Sequence, residues 1–157
     1  MARCKICVAV ELSTLAPTQY DWDMTGMAEF NGVGYLGDDE GFYSHTGDND
    51  DGSPILSTFR LPTTDFGMLN QKRIRHLYLG AESEGELSVT VTADETLSVT
   101  KFFNPAERGY QVGSKVTVDR EVKGRYFSVE ISNLNGDDFG IDSVDALILK
   151  LSAVKTT

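Results

Sequence analysis

An alternation of apolar and polar residues, repeated along most of the chain, limits its fold more than any other feature. In the segment ELSVTVTAD, Leu87, Val89 and Val91 share one side, and Ser88 and Thr90 share the other. Successive side chains of a β-strand point to opposite faces, so this pattern predicts a half-buried strand. The polar residues ADE follow it, and the alternation resumes in TLSVTKFF. Together the two segments predict a β-hairpin.

The same alternation recurs at residues 6–12, 55–61, 74–79, 116–118, 127–131 and 147–151. Turn sequences separate these segments: NGVG, GDDEG, GDNDDGSP, AESEG, NPAERG and NLNGDDFG. No window has apolar residues at helical spacing over three turns. We therefore predict an all-β fold, an antiparallel β-sandwich or jelly-roll-like single domain, with a small barrel as the alternative. At about five to six residues a strand, roughly nine to eleven strands are expected.

Chain length fits this fold without disulfide or metal cross-links. A chain of 157 residues buries on the order of 70% of its unfolded surface. Residues 16–23 show little periodicity and predict an extended arm or a long loop. The predicted organisation is thus an N-terminal strand and docking arm at 1–23, followed by a β-sandwich at 24–157, one domain overall. The apolar alternation at 55–61 is expected to belong to the core.

The charge is strongly acidic and unevenly distributed. The chain has 14 basic and 24 acidic residues, a formal net charge of −10, which opposes binding to a nucleic-acid backbone. Ten acidic residues lie between Asp21 and Asp65 against Arg60 alone, and the basic segment QKRIRHLYLG comes directly after. Two interpretations are open: a solvated acidic rim that pairs with the basic strand, or an acidic face for a basic partner such as a second copy.

Hydropathy predicts no membrane partner. No apolar run approaches the roughly 20 residues that a membrane-spanning helix needs. The apolar run near the N-terminus ends at Glu11, which is too early for the apolar region of a signal peptide. We therefore expect the protein to be made in the cytoplasm of the producing cell.

The aspartate-rich segment GDNDDGSP resembles a calcium loop only in composition. If Gly52 takes position 6 of an EF-hand loop, position 1 is Gly47 and position 12 is Thr58, so both anchoring carboxylates are missing. The segment instead predicts a polar hairpin loop in which Gly47 and Gly52 adopt positive φ. The alternative is another kind of cation site, formed by the acidic residues Asp48, Asp50 and Asp51 with carboxylates from other loops.

Soft metal ligands and catalytic motifs lack the context they need. Cys4 and Cys7 would point to opposite faces of a strand, so we predict two reduced thiols rather than a zinc site with His45 and His76. The triplet Asp-Phe-Gly occurs twice without a kinase glycine loop, and GAESEG is not a nucleophile elbow. Paired carboxylates for glycoside hydrolysis occur in any acidic β-protein. We expect no cofactor, no metal and no enzymatic activity.

Two aromatic residues precede the predicted sandwich. Tyr20 and Trp22 in QYDWDM could stack on a sugar, or they could anchor the arm against the domain or a neighbouring molecule. The second interpretation is favoured because both residue types are enriched at interfaces.

The segments DDGSPILSTFRLPTTDFGMLNQKRIRHLYLGAESEGELSVTVTADE and REVKGRYFSVEISNLNGDDFGIDSVDALIL resemble a pattern of β-rich structural proteins in tailed bacteriophage virions, from the tail or the head–tail region. In that pattern a polar DG loop leads to a strand, then Asp-Phe-Gly, a basic strand, a hairpin, and finally GRY with NGDDFGID. The resemblance covers residues 50–149. It implies a non-enzymatic, multi-copy structural role in the virion and carries over no catalytic residue.

These observations predict a structural subunit of a phage particle, tail-associated or at the head–tail junction, that binds other virion proteins and copies of itself. The alternatives are a capsid decoration protein and a carbohydrate- or calcium-binding β-sandwich module. The expected interface combines the two arm aromatics, the aspartate loop and the basic strand: Tyr20, Trp22, Asp48, Asp50, Asp51, Lys72, Arg73 and Arg75.

Overall fold

The protein is all-β. The computed structural model describes residues 7–15, 17–20, 22, 24–47, 49–50, 52–105 and 112–151. In these ranges the chain forms fourteen strands and no helix, and so no helix of a length and hydropathy that would span a membrane. The predicted all-β, antiparallel, sandwich-like fold is confirmed. There are more strands than expected because several are only two to four residues long.

The strands fall into two compact units, Met1–Gly47 and Asp48–Thr157. The first unit contains a two-stranded sheet and a three-stranded sheet, both antiparallel with neighbouring strands paired in chain order. Its strands are β1 (Cys7–Val10), β2 (Pro17–Tyr20), β3 (Gly26–Phe30), β4 (Val33–Gly37) and β5 (Phe42–His45). The segment 17–20, where we predicted an arm or a long loop, pairs with β1 as the second strand of a hairpin.

The second unit contains a short hairpin and two larger sheets. The sheet orders are β11-β10-β13-β8 and β12-β9-β14, and all pairings are antiparallel. The strands are β6 (Asn49–Asp50), β7 (Ser53–Pro54), β8 (Thr58–Arg60), β9 (Lys72–Ser83), β10 (Leu87–Ala93), β11 (Leu97–Phe103), β12 (Val112–Thr117), β13 (Phe127–Asn133) and β14 (Phe139–Lys150).

The core of the second unit lies between its two larger sheets. Strands β10 and β13 alternate buried and half-buried residues along their whole length, as their sequences predict. Their buried side chains meet those of β9 in one apolar cluster, which includes Ile74, Leu77, Leu79, Leu87, Val89, Val91, Val116, Phe127, Val129 and Ile131. Closely packed apolar contact of this extent is the main source of stability in a sandwich.

The segment 55–61 does not belong to this core, contrary to the prediction. Ile55, Leu56 and Phe59 are exposed, and only Leu61 is half-buried. The physical reason is position: β8 is the edge strand of its sheet and pairs over only three residues with β13. In an edge strand, one face is directed toward the core, but few neighbouring side chains cover that face.

Glycines with positive φ lie at several of the turns. Asn31 and Gly32 both have positive φ and join β3 to β4 in a two-residue hairpin, the geometry that Asn-Gly favours. Gly52 and Gly47 have φ of 79° and 89°, and β6 pairs with β7 around Gly52. The prediction that the aspartate-rich segment is a hairpin loop with these two glycines at positive φ is confirmed.

Asp94, at the β10–β11 turn, ties that turn to the segment before β13. Its Oδ1 accepts hydrogen bonds from the backbone N–H groups of Arg125 and Tyr126, at 2.9 and 3.0 Å. These two bonds lower the pKa of the Asp94 carboxyl. Folding therefore favours the ionised form.

Replacing Asp94 by asparagine is expected to destabilise the protein at neutral pH but not in acid. Because folding lowers the pKa of Asp94, its stabilising effect is complete above the unfolded value of about 4. The effect is lost as the pH falls through the lowered folded value. Urea unfolding of wild type and Asp94→Asn between pH 3 and 7 measures this difference. A gap between the two proteins that is independent of pH would contradict the assignment.

Candidate interaction surfaces

Three aromatic rings pack together within the first unit. The rings of Tyr20 and Trp22 are stacked, with centroids 4.1 Å apart and planes 19° from parallel. Trp22 also meets His45 edge-on, with centroids 5.1 Å apart. Both Tyr20 and Trp22 are half-buried. They therefore pack against other residues of their own unit, and one face of the indole is covered by Tyr20.

The three-stranded sheet of the first unit has one face that is mostly apolar and largely exposed. Residues paired across strands lie on the same face, and the register places five such side chains together: Ala28, Phe30, Val33, Tyr35 and Phe42. We call this set the apolar face. Phe30 is 72% exposed and Phe42 is 90% exposed. Trp22 contacts His45 on the opposite face, so it does not cover this one.

Other apolar side chains of the first unit are also in contact with solvent. Val8, Val10, Leu12 and Leu15 are exposed along and after β1. Among the described residues of this unit none is buried. The alternation at 6–12 predicted a strand, and β1 occupies Cys7–Val10 of that segment, but Val8 and Val10 remain exposed.

The loop between β4 and β5 carries three consecutive acidic residues, Asp38, Asp39 and Glu40, which we call the acidic loop. Asp38 Oδ1 accepts hydrogen bonds from the N–H groups of Glu40 and Gly41, at 2.7 and 2.8 Å, which fixes the loop backbone. Asp39 and Glu40 are exposed. Their carboxylates make no hydrogen bond or ion pair within the described residues.

The aspartates of the 47–52 segment are only partly described. Asp50 lies in β6 and is exposed. Asp48 and Asp51, predicted as interface residues, lie outside the described residues. Within the described ranges, no group of three or more His, Cys, Asp or Glu side chains is placed to hold a metal ion.

The outer face of the sheet β12-β9-β14 carries a cluster of cations. His76 and Tyr78 of β9 pair directly with Thr117 and Lys115 of β12. His76 Nδ1 lies 3.2 Å from Thr117 Oγ1, and the ring of His76 meets Tyr78 edge-on.

Two arginines extend the same surface along β9. Arg73 pairs with Leu149 and His76 pairs with Leu147, so both lie on the same face of β14 and Arg73 shares the outer face with His76. Arg75 is exposed at the register shift between them and pairs with no residue of β14. We define the basic face as Arg73, Arg75, His76 and Lys115. Asp145 on β14, opposite Tyr78, and Glu82 at one end of the strand are acidic residues of this sheet surface.

The positive charges of this surface act on His76. The pKa of His76 is lowered from its usual value, first by loss of hydration and then by three nearby positive charges. Those charges are Lys115, Arg75 and Arg73, in order of effect. No ion pair to Arg73, Arg75 or Lys115 occurs among the described residues.

The prediction that Lys72 is an interface residue is wrong. It was expected to be exposed with Arg73 and Arg75, but its side chain is completely buried. Its Nζ donates a hydrogen bond to the carbonyl oxygen of Arg125, and its backbone bridges to Gly124 in both directions. Alternation along β9 turns Lys72 inward and Arg73 outward. Lys72 is therefore a structural residue and is not available to a partner.

Lys115 was missed because it comes from a different part of the sequence. The segment GSKVTVD predicts a strand, but only the register between β12 and β9 places Lys115 opposite Tyr78. The apolar face was missed for the same reason: GMAEF, VGYLG and FYSH are short, and their shared face emerges only from the pairing. The sequence contains no signal that fixes either register.

The described cysteine and the two histidines are each half-buried or in contact with a neighbouring side chain. Cys7 is a half-buried free thiol, whereas Cys4 lies outside the described residues. His45 packs on Trp22, and His76 contacts Thr117. Each histidine thus has its own local partner. No family model, no curated protein and no solved structure matches the chain.

Proposed function

We propose that this chain is a non-enzymatic structural subunit of a tailed phage particle, tail-associated or at the head–tail junction, that docks in multiple copies. The observation that carries the proposal is the exposed apolar surface of the first unit. Decoration of the capsid is the nearest alternative position on the particle. The carbohydrate- or calcium-binding alternative has no comparable surface feature in its favour.

Exposed apolar side chains on this scale are unusual for a small unit that works alone. Scattered surface leucines or valines need no explanation, but a contiguous apolar patch marks an interaction site. Phe30, Tyr35 and Phe42 lie on one face of one three-stranded sheet, and both phenylalanines are largely exposed while Tyr35 is partly exposed.

Stability gives a second reason to expect a partner. An isolated two-stranded hairpin is marginally stable in water, and apolar side chains stabilise a small sheet only when they are removed from water. No described residue of the first unit is buried. Contact with a partner would remove the two phenylalanines from water and add on the order of 2 kcal/mol for each side chain. Docking would therefore stabilise the unit that makes the contact.

The second unit supplies the rigid support. Its core extends through both sheets and includes long strands such as β9 and β10. The resemblance of residues 50–149 to virion subunits covers this unit, and it points to particles built from many copies. A stable sandwich joined to a unit with an exposed apolar face is suited to such an assembly.

Serine at both Phe30 and Phe42 is expected to weaken docking by about 100-fold or more, since well-packed aromatic side chains at an interface each contribute about 2 kcal/mol. Particles produced by a phage with this gene disrupted are mixed with purified wild-type or variant protein, and co-sedimentation is measured. Both side chains are largely exposed, so the variant should retain the wild-type fold.

Phe102→Ser provides the matched control. Phe102 is an exposed phenylalanine on the second unit, and its pairing with Ser88 places it on the outer sheet face. The control should bind particles as wild type does. Particles that are complete without this chain and do not bind the wild-type protein would contradict the proposed function.

A further inference from the structure

The basic face and the acidic loop are opposite charges presented by two units of the same chain. The first unit has seven acidic residues at positions 7–47 and no lysine or arginine there. The second unit contains all four residues of the basic face. Neither surface has an ion-pair partner in the described part of the chain.

The two surfaces also match in form. The basic face is a sheet surface held by paired strands, in which Lys115 and Tyr78 lie side by side. The acidic loop projects between β4 and β5 and is held by the Asp38 hydrogen bonds, so Asp39 and Glu40 are presented on a fixed backbone. A preorganised loop loses little conformational entropy when it binds. Arginine is suited to bind carboxylates because its guanidinium donates two parallel hydrogen bonds.

We propose that the basic face of one copy binds the acidic loop of a second copy of this chain. This inference rests on the proposed multi-copy role and specifies the partner for one surface. The phosphate backbone of a nucleic acid is a poorer partner, because the chain carries a net charge of −10. Charge complementarity between the two surfaces favours a second copy.

Each copy carries both surfaces, so the contact can repeat. Joining the basic face of one copy to the acidic loop of the next produces a heterologous interface, which closes into a ring or continues as a chain of subunits. The side chains of the apolar face are uncharged and contribute no ion pair to this contact. Docking to the particle and contact between copies therefore use different residues.

Charge reversal tests the proposal with purified protein. One variant carries Arg73→Glu and Lys115→Glu, and the other carries Asp39→Lys and Glu40→Lys. Sedimentation velocity over a range of concentrations measures self-association at low salt and in 0.5 M NaCl. Wild type is expected to associate at low salt and to dissociate as salt screens the charges. Each variant alone should associate about tenfold more weakly or worse.

Mixing the two variants gives the decisive measurement. Reversed charges on the basic face of one variant then meet reversed charges on the acidic loop of the other, so association should be restored between unlike chains. Thermal unfolding of each variant checks that it is folded. Since the substitutions are on two different units, misfolding of one variant leaves the other as a test.

The outcomes separate this inference from the proposed function. A wild-type chain that stays monomeric at every concentration overturns the inference, as does self-association that both variants retain. Nucleic acid binding that is lost with Arg73→Glu and Lys115→Glu, without self-association, also overturns it. Particle docking, which is measured with Phe30 and Phe42 variants, can succeed or fail independently of all these results.

Discussion

Substituting alanine for Gly136 is expected to lower the free energy of unfolding of the second unit by about 3 kcal/mol. Gly136 has φ of 84°, where a residue with a Cβ costs roughly 1–2 kcal/mol. The added Cβ would also lie 2.8 Å from Pro54 Cβ and 3.0 Å from the backbone nitrogen of Ile55. Relief of that overlap requires backbone movement, and overpacking of this kind costs about 1–3 kcal/mol.

Substitutions at two other glycines distinguish the cost of positive φ from the cost of steric overlap. Gly52 also has a positive φ, 79°, but a Cβ added there would have no described atom within 4 Å. Gly52→Ala should cost only the conformational part, about 1–2 kcal/mol. Gly85→Ala brings its Cβ against the Asp137 carboxylate. The carboxylate can rotate away, but the Cβ of Asp137 lies 3.1 Å from the new Cβ and has to shift slightly. The cost should therefore be about 1 kcal/mol.

Urea unfolding of the three variants measures these differences. The expected order of stability loss is Gly136→Ala, then Gly52→Ala, then Gly85→Ala. Equal losses for Gly136→Ala and Gly52→Ala would mean that the hairpin β6–β7 does not pack on Gly136. A change in the denaturant slope would indicate local unfolding of that hairpin rather than a uniform loss.

The central strands of the sandwich were predictable from the sequence alone. Alternation in ELSVTVTAD and in FSVEIS determines which residues share a face, and a strand with neighbours on both sides buries that face. Strand β10 lies between β11 and β13, and its four apolar positions are almost completely buried. The prediction succeeded here because local pattern and tertiary environment require the same side chains.

The same pattern predicted burial wrongly at residues 55–61. Alternation identifies a face but contains no information about what covers it. Strand β8 is at an edge, so Phe59 remains 40% exposed although it pairs with the buried Ile131. Coverage depends on the order of strands in the sheet, and that order results from long-range pairing that no local window encodes.

Only part of the basic face could be predicted from the sequence, because the rest depends on strand register. Arg73 and Arg75 were identified from their clustering, and Lys72 was grouped with them although strand parity turns it inward. Parity was available from the sequence, since Ile74 was assigned to the core and Lys72 lies two residues before it. Lys115, about forty residues further along, could be added only from the register of β12 on β9.

Asn133 holds the exposed segment after β7 by hydrogen bonds to its backbone. Replacing Asn133 by alanine is expected to lower the free energy of unfolding by about 3 kcal/mol. The Asn133 side chain is buried, and its Oδ1 accepts a hydrogen bond from the N–H of Ser57 at 2.8 Å. Its Nδ2 donates to the carbonyl oxygens of Ile55 and Asp137, at 3.1 and 3.0 Å. Each lost bond costs about 1 kcal/mol, and the backbone groups left without a partner increase the total.

Hydrogen exchange can locate this loss as well as measure it. Asn133→Ala should lower the free energy of unfolding in urea and also speed exchange of the Ser57 amide, because that N–H loses its acceptor. Asn135→Ala is the matched control: Asn135 is exposed two residues further along, and its loss should be within about 0.5 kcal/mol of zero. An Asn133→Ala variant as stable as this control would contradict the role assigned to Asn133.

Asn133→Asp gives the assignment a pH-dependent test. A carboxylate in this position can still accept from Ser57, but it turns a second acceptor toward the carbonyl oxygens of Ile55 and Asp137. Burial and these carbonyls should raise the folded pKa of the new aspartate above its unfolded value of about 4. The destabilisation is then largest above the raised folded pKa and decreases below pH 4, where the protonated group can donate one of the two lost hydrogen bonds. Measured against wild type at each pH, the stability difference should therefore shrink on acidification, whereas a side chain that served only to fill space would give a difference independent of pH.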